Sequence, residues 1–594
     1  MISKPVRYGL AMLSILGTLT VEPASADSAA EIAGRRIYTE GRLPDGHMLR
    51  GLRGDNRDLT GREAACVACH RPSGLGGVEG TTVIPPITGR ALFDEGGPVW
   101  VRMDRRFDPG LSVPHAPYDA VTFAAAMRHG HHQTGRTMQT LMPRYALSDH
   151  ELQVLAAYLR TLSREWSPGV SGDEIRFATV IAPDVRPERR KAFLDTLTTA
   201  VNQINVSLAA GLRKKIPIDE RRLHTRRAWA LDVWELSGPS STWSAQLDRW
   251  QAQRPVFAIL SGLAGDEWQP VHDFCERARV GCWFPSVELV PAGAEQGRYS
   301  LYFSRGVALE AEVVARRVTV VEGRVVQLVA SDPVARGAAA AMQRALAARV
   351  DETGPRPAMN IEWQPAVAPV VAEAIATLGE QDCLVLWLRP QDLSALGALP
   401  PTAARVFLSA TLAGDEAAAL PPAWRRRATL LQPLEQSRLR AANLERFDAW
   451  LSASKQLPVD RRMQSEVYFA VRFLMVTVRG MLNNLHTDYL IERAETTLSM
   501  FEAMQVQDEI QAMMMGGGGK GPPRPAAEAD RAVMSTVTHR QMSRLDEMSR
   551  RRGTTVYPSL SLGPGQRFAS KGVYLETLNP DVPGIVGEPE WVVP

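Results

Sequence analysis

Helices and loops up to about residue 168, followed by alternating strands and helices, predict a multidomain chain with a helical first domain and a larger α/β second domain with parallel sheets. Three observations carry that prediction. Leu152, Leu155, Ala156 and Leu159 recur at helical spacing behind Ser148-Asp149-His150-Glu151, a run that caps a helix. Apolar runs with strand character then follow at Phe177 to Ala182, Ala230 to Leu236, Val256 to Leu260, Tyr299 to Phe303, Val325 to Val329, Cys383 to Leu388 and Val406 to Leu408, with amphipathic helices between them. The first of those helices places Phe193, Leu197, Ala200, Val201 and Ile204 on one face. Between the two patterns, Ser167-Pro168-Gly169 has the composition of a hinge. A length of 594 residues with 45% hydrophobic content suits two large domains or three to four ordinary ones.

The N-terminus has the form of an export signal. Lys4 and Arg7 precede an apolar stretch from about Tyr8 to Leu19, and Ala24-Ser25-Ala26 supplies a small-x-small cleavage site before Asp27. The expectation is a signal peptide at 1–26 and a periplasmic protein, with an uncleaved anchor as the alternative. The apolar run is shorter than the roughly 20 residues of a spanning helix, and no later run is longer, so no membrane span is expected after cleavage. A formal net charge of +3 without a long basic block gives no footprint for nucleic acid.

Cys66-Val67-Ala68-Cys69-His70 is a CxxCH run. Two thiols at this spacing can form thioethers to the two vinyl groups of one porphyrin, while the adjacent imidazole coordinates the iron, so the run predicts one covalent haem c with His70 as an axial ligand. A zinc or redox CxxC is the competing assignment. Zinc would need a second ligand pair nearby, whereas Cys275, Cys282 and Cys383 lie far downstream. For the other axial position Met142 is favoured, in the glycine-bearing loop Gly135 to Pro143, because the following proline restrains the backbone and a thioether on iron suits electron transfer. Met138 and the cluster His129-Gly130-His131-His132 compete for that position, the histidines also being readable as a polar loop over the haem edge. His115 reads as a loop residue.

With the haem motif, the Met-Pro loop and the closing helix containing Tyr158-Leu159-Arg160, residues from about Ala30 to Leu162 resemble a class I cytochrome c domain. The resemblance implies a small all-α fold at 27–168 that encloses one haem and exposes an edge for electron exchange. The chain departs from it in the long segment between the haem motif and Met142, where Gly74-Leu75-Gly76-Gly77 and Pro85-Pro86-Ile87-Thr88-Gly89 suggest extended loops around the porphyrin.

From about Arg176 to Met500 the chain resembles the periplasmic-binding-protein-like type I fold of branched-chain amino-acid binding proteins. The similarity lies in Phe257 to Gly262, Phe274-Cys275-Glu276 leading to Cys282-Trp283-Phe284-Pro285, Ser304-Arg305-Gly306, and Ser331 to Gly337. It implies a two-lobed α/β domain at 170–505 with a small solute held against the loops after the strands. Where amino-acid binders carry small hydroxyl residues after the Ser261 strand, this chain has Leu263-Ala264-Gly265-Asp266-Glu267-Trp268, which speaks against an amino acid as the solute. Asp266, Trp268 and Asp332 are each readable as pocket residues or as helix caps and core. Cys275 and Cys282 are placed to pair in an oxidising compartment, with two unpaired buried thiols as the alternative.

Helices at 461–485 and 489–504 carry broad apolar faces including Val467, Val471, Leu474, Val478 and Leu482. Met513-Met514-Met515, then Gly516 to Gly519 and Pro522-Pro523, mark a flexible insertion at 506–550, in which a methionine cluster could also take copper(I). Residues 551–594 read as short strands returning to the α/β domain. No nucleotide loop, zinc-protease motif or serine elbow is present, and His224, His272, His486 and His539 occur singly, so no catalytic residue is assigned. The expected function is one-electron transfer with a periplasmic redox partner protein, the α/β domain docking that partner or sensing a small-molecule solute. The alternatives are a solute receptor whose haem is a reporter or structural element, and a haem peroxidase.

Overall fold

The computed structural model describes residues 28–79, 82–95, 115–213, 227–318, 323–348, 358–364, 368–396, 404–414, 417–500 and 555–594. The signal read at 1–26, the insertion at 506–550 with Met513 to Met515, and His224 and His539 lie outside them. The chain divides into two compact units, 1–164 and 165–594. Among the described residues no helix is long and apolar enough to cross a membrane.

The first unit runs α1 (Ala29–Glu40), β1 (Arg50–Leu52), β2 (Asp58–Thr60), α2 (Val67–His70), β3 (Gly77–Glu79), β4 (Thr82–Ile84), α3 (Gly89–Leu92), α4 (Ala120–His129), β5 (Arg144–Tyr145) and α5 (Asp149–Thr161). It is therefore not all-α. Helices form the frame, but β2, β1 and β5 make a three-stranded antiparallel sheet and β3 pairs with β4. The strands are too short to show as alternation in the sequence, and the tertiary fold pairs segments far apart in the chain.

Local chemistry fixes the helix ends. Capping boxes start α1 (Ser28 with Glu31), α4 (Asp119 with Thr122) and α5 (Ser148 with Glu151). Helices α1 and α5 cross in contact because residue 34 is glycine: a Cβ there would lie 2.1 Å from the Val154 carbonyl oxygen. Tyr38 and Tyr158 pack beside that crossing with ring centroids 5.4 Å apart.

The second unit contains two sheets. The first lobe runs β6 (Glu174–Ile181), α6 (Pro187–Arg213), β7 (Ala228–Glu235), α7 (Trp243–Gln253), β8 (Ala258–Leu260), α8 (Gln269–Ala278), β9 (Gly281–Trp283) and β10 (Ser300–Leu301). Its strands lie in the order β10-β9-β8-β6-β7, all parallel. Phe193, Leu197, Ala200, Val201 and Ile204 of α6 are buried, as the helical spacing predicts. Cys275 of α8 and Cys282 of β9 are joined by a disulfide, their Cα atoms 6.0 Å apart.

The second lobe runs α9 (Val307–Val318), β11 (Val325–Ala330), α10 (Pro333–Ala347), β12 (Met359–Trp363), α11 (Ala368–Ala376), β13 (Cys383–Trp387), α12 (Pro390–Ala395), β14 (Arg405–Ser409), α13 (Ala410–Ala413), α14 (Pro422–Arg425) and β15 (Ala428–Gln432). The chain then returns to the first lobe with α15 (Ser437–Ala453) and α16 (Arg461–Met481), where the Trp283 indole donates to the Ala470 carbonyl at 2.9 Å. Phe568 bridges in parallel to Tyr302, and β16 (Val573–Leu578) and β17 (Ile585–Val592) go back to the second lobe. They extend its sheet, ordered β12-β11-β13-β14-β15-β16-β17, with the last two strands antiparallel.

Candidate haem site

Helix α2 is one turn long and carries most of the predicted chemistry. Cys66 precedes it and is buried, Cys69 is exposed, and His70 is 5% exposed at its last position. Two cysteines three positions apart on one turn project to the same side. The His70 Nδ1 lies 2.9 Å from the Pro85 carbonyl oxygen. Because a carbonyl only accepts, Nδ1 carries the proton and Nε2 keeps its lone pair, which is the tautomer a metal ligand needs.

The surroundings keep these groups neutral. Burial pushes the His70 pKa down to about 4, against the opposing Pro85 hydrogen bond. Burial pushes the Cys66 thiol up to about 12, with a smaller contribution in the same direction from Cys69. The turn is also clamped from outside, since the Tyr38 hydroxyl donates at 2.5 Å to the carbonyl of Arg71, the residue that closes α2 with φ of +66°.

The glycine- and proline-rich loops supply the Pro85 acceptor. Ile87 N–H donates to Gly74 O at 2.8 Å, and a Cβ on Gly76, whose φ is +64°, would fall 2.1 Å from the Ile84 oxygen. These loops therefore close on themselves beside His70. In the sequence Pro85 reads only as part of a turn, and nothing in a run of prolines marks one carbonyl as the partner of an imidazole.

Met138 and Met142 are both half-buried and both pack against the apolar core that contains Cys66. The described structure thus brings both predicted methionines to that core. Of the histidines, His129 and His131 are exposed, and His131 bridges to Thr137 across a tight hairpin. His132 turns toward Tyr118 and His115, its ring centroid 5.5 Å from that of His115. No cluster of three or more histidine, cysteine or acidic side chains able to hold a metal ion occurs among the described residues.

In the second unit, the loops after strands of both sheets bring charged residues together. Asp332 caps α10, accepting from the N–H groups of Val334 and Ala335 at 3.1 Å. It also accepts from Arg389 at 3.3 Å, and the same guanidinium reaches Glu288 of the first lobe at 3.1 Å. Asp266 is not a helix cap; its N–H donates to the Asp184 carboxylate at 2.9 Å. Burial raises the Asp266 pKa, and Asp184, Asp332 and Glu288 add to the rise while Arg389 opposes it. Trp268 is core, 1% exposed, against the bare Cα of Gly262.

Residues 61–163 match the cytochrome c family, a span that includes the CxxCH run and Met142. Cytochromes of this family carry covalently bound haem c, and this part of the chain is a cytochrome c domain. No curated protein matches the chain. Similar solved structures include a branched-chain amino-acid transporter from Thermus thermophilus with bound valine, at 9% identity and a TM-score of 0.44 over 71% of this chain and 97% of that one. Another is a branched-chain amino-acid substrate-binding protein of Streptococcus pneumoniae in complex with isoleucine, at 10% identity and a TM-score of 0.42 over 71% and 100%. A third is a possible leucine/isoleucine/valine-binding protein from Rhodopirellula baltica, at 11% identity and a TM-score of 0.41 over 71% and 98%.

Proposed function

We propose that the chain is a periplasmic one-electron carrier holding one haem c, with an α/β module that docks a redox partner protein or senses a small solute. The observation that carries the reading is the buried, neutral imidazole of His70, locked through Nδ1 onto Pro85 beside the two cysteines of the same turn. The donor set fits the group: Cys66 and Cys69 for the thioethers, and His70 Nε2 and the Met142 sulfur for the iron. The haem supplies a metal centre that changes charge by one electron. The protein holds the imidazole in one tautomer, keeps water from Cys66 and His70, and offers a thioether that favours the reduced state.

The signal peptide at 1–26, the domain limits 27–168 and 170–505, the insertion at 506–550 and the returning strands at 551–594 belong to this reading. No catalytic residue is assigned.

The test is a redox-titrated absorption spectrum of the purified holoprotein beside Met142→Ala. A methionine-to-iron band that disappears in the variant supports the assignment, and an unchanged spectrum moves the ligand to Met138 or a histidine. A second reading, a solute receptor with the haem as reporter, draws support from the polar groups that Asp184, Asp266, Glu288, Asp332 and Arg389 bring together from both lobes. A defined solute that raises the melting temperature would favour it.

A further inference from the structure

We propose that Tyr145 is a positioning residue that ties the methionine loop to the haem-attachment turn through its hydroxyl; this rests on Met142 being an axial ligand. Tyr145 is 4% exposed and three positions beyond Met142. Its hydroxyl donates at 2.9 Å to the carbonyl of Ala64, a residue 81 positions earlier and two before Cys66. Ala64 is 1% exposed, so no water replaces that donor if it is removed.

Two further features restrict the loop to one seat. Strand β5 pairs antiparallel with β1, Tyr145 opposite Gly51. Gly51 lacks the Cβ that would lie 2.9 Å from both Pro143 Cβ and Tyr145 Cε1, so proline and tyrosine both rest on bare backbone. At the other end of the loop, Gly54 N–H donates to Thr140 O at 2.9 Å. Met142 therefore sits between two anchors, and only the Tyr145 anchor reaches the segment that carries the cysteines. A phenylalanine would fill the same space; the hydroxyl adds a bond between the two halves of the site. Burial raises the phenol pKa, so the donor stays protonated across the usual pH range.

A loop held by one fewer bond releases the thioether more readily, and an external ligand then reaches the iron more easily. The experiment is imidazole titration of the oxidised holoprotein, followed by absorbance, for wild type, Tyr145→Phe, Gly51→Ala, Leu155→Val and Met142→Ala. Tyr145→Phe is expected to bind imidazole about tenfold more tightly, the factor that one net hydrogen bond supplies. Gly51→Ala crowds Pro143 and the Tyr145 ring from β1 and is expected to move in the same direction, which covers a phenylalanine variant that fails to assemble. Leu155→Val loosens the same apolar core while leaving the Tyr145–Ala64 bond in place, and is expected to lower the melting temperature without changing imidazole affinity, separating positioning from general destabilisation. Wild-type affinity in Tyr145→Phe overturns the proposal while leaving Met142 as ligand. An unchanged affinity and spectrum in Met142→Ala overturns the ligand assignment and the proposal with it.

Discussion

The two places where polar groups gather in this protein handle charge in opposite ways. Around helix α2, burial leaves the His70 imidazole and the Cys66 thiol uncharged, and main-chain carbonyls accept from Tyr38, His70 and Tyr145. Between the sheets of the α/β unit, Asp184, Asp266, Glu288 and Asp332 gather around Arg389, and the groups keep part of their exposure to water. The difference suits different tasks. A metal centre that must accept one electron at little structural cost benefits from neutral ligands in a dry setting. A cleft that joins two lobes can use ion pairs, which hold at contact and weaken once separated and hydrated.

The largest effect that sharpens this contrast is at the cysteines. Cys66→Ala with Cys69→Ala removes both attachment points, and the expected outcome is complete loss of covalent porphyrin, read as mass of the mature polypeptide made in a host able to assemble cytochromes. Retention of the added mass would break the haem half of the comparison outright. Next is Met142→Ala: if Met142 is the proposed axial ligand, losing a thioether that favours the reduced iron shifts the reduction potential downward.

A pH effect of intermediate size belongs to the second lobe. Glu310 on α9 is fully buried, accepting at one oxygen from the Thr411 hydroxyl at 2.6 Å and its N–H at 3.2 Å, while the other oxygen has no partner. Burial pushes its pKa up to about 7 from 4.5, against the smaller opposing effect of the Thr411 hydrogen bonds and the nearby Ser409 hydroxyl. The folded state then binds a proton more tightly than the unfolded chain, so the contribution is fully present below pH about 4.5 and is lost as pH rises through about 7. The loss amounts to about 3 kcal/mol. Glu310→Gln is expected to flatten that slope and to be the more stable form at pH 8, measured by denaturant unfolding at pH 5 and pH 8; equal slopes would place the titration elsewhere.

Much of this architecture was readable from residue patterns, and the gaps have physical causes. The strands β6, β11 and β13 are legible as apolar runs because parallel strands covered on both faces need nothing else. Strand β12 did not: Met359, Asn360 and Glu362 are exposed, so its sequence lacks that signature, and β11 recruits it as an edge. At helix α2, the proposed attachment and ligand side chains Cys66, Cys69 and His70 follow from spacing alone. Pro85 and Ala64 do not, since they act through main-chain carbonyls that every residue has.

The smallest effect tests the charged half of the comparison. Arg389 spans the lobes, holding Glu288 from one and Asp332 from the other, with all three side chains about three-quarters buried. Burial works against its charge, yet the two carboxylates raise its pKa further, so it stays ionised. Removing it leaves two carboxylates short of a partner beside Asp266, which like charges already disfavour as an anion. Arg389→Ala is therefore expected to cost about 1–2 kcal/mol in denaturant unfolding, between the fraction of a kcal/mol of an exposed pair and the several of a fully buried one. The exposed Lys191–Asp195 pair gives the reference, and Lys191→Ala is expected to change stability by under about 0.5 kcal/mol. Low-millimolar guanidinium ion is expected to restore part of the Arg389→Ala loss and sodium ion at the same concentration none, because planar donors that reach both carboxylates are what the bridge supplies. If the variant matches wild type with no response to guanidinium, the lobes are held by packing such as Leu289 against Gly337, and the ion pairs contribute little.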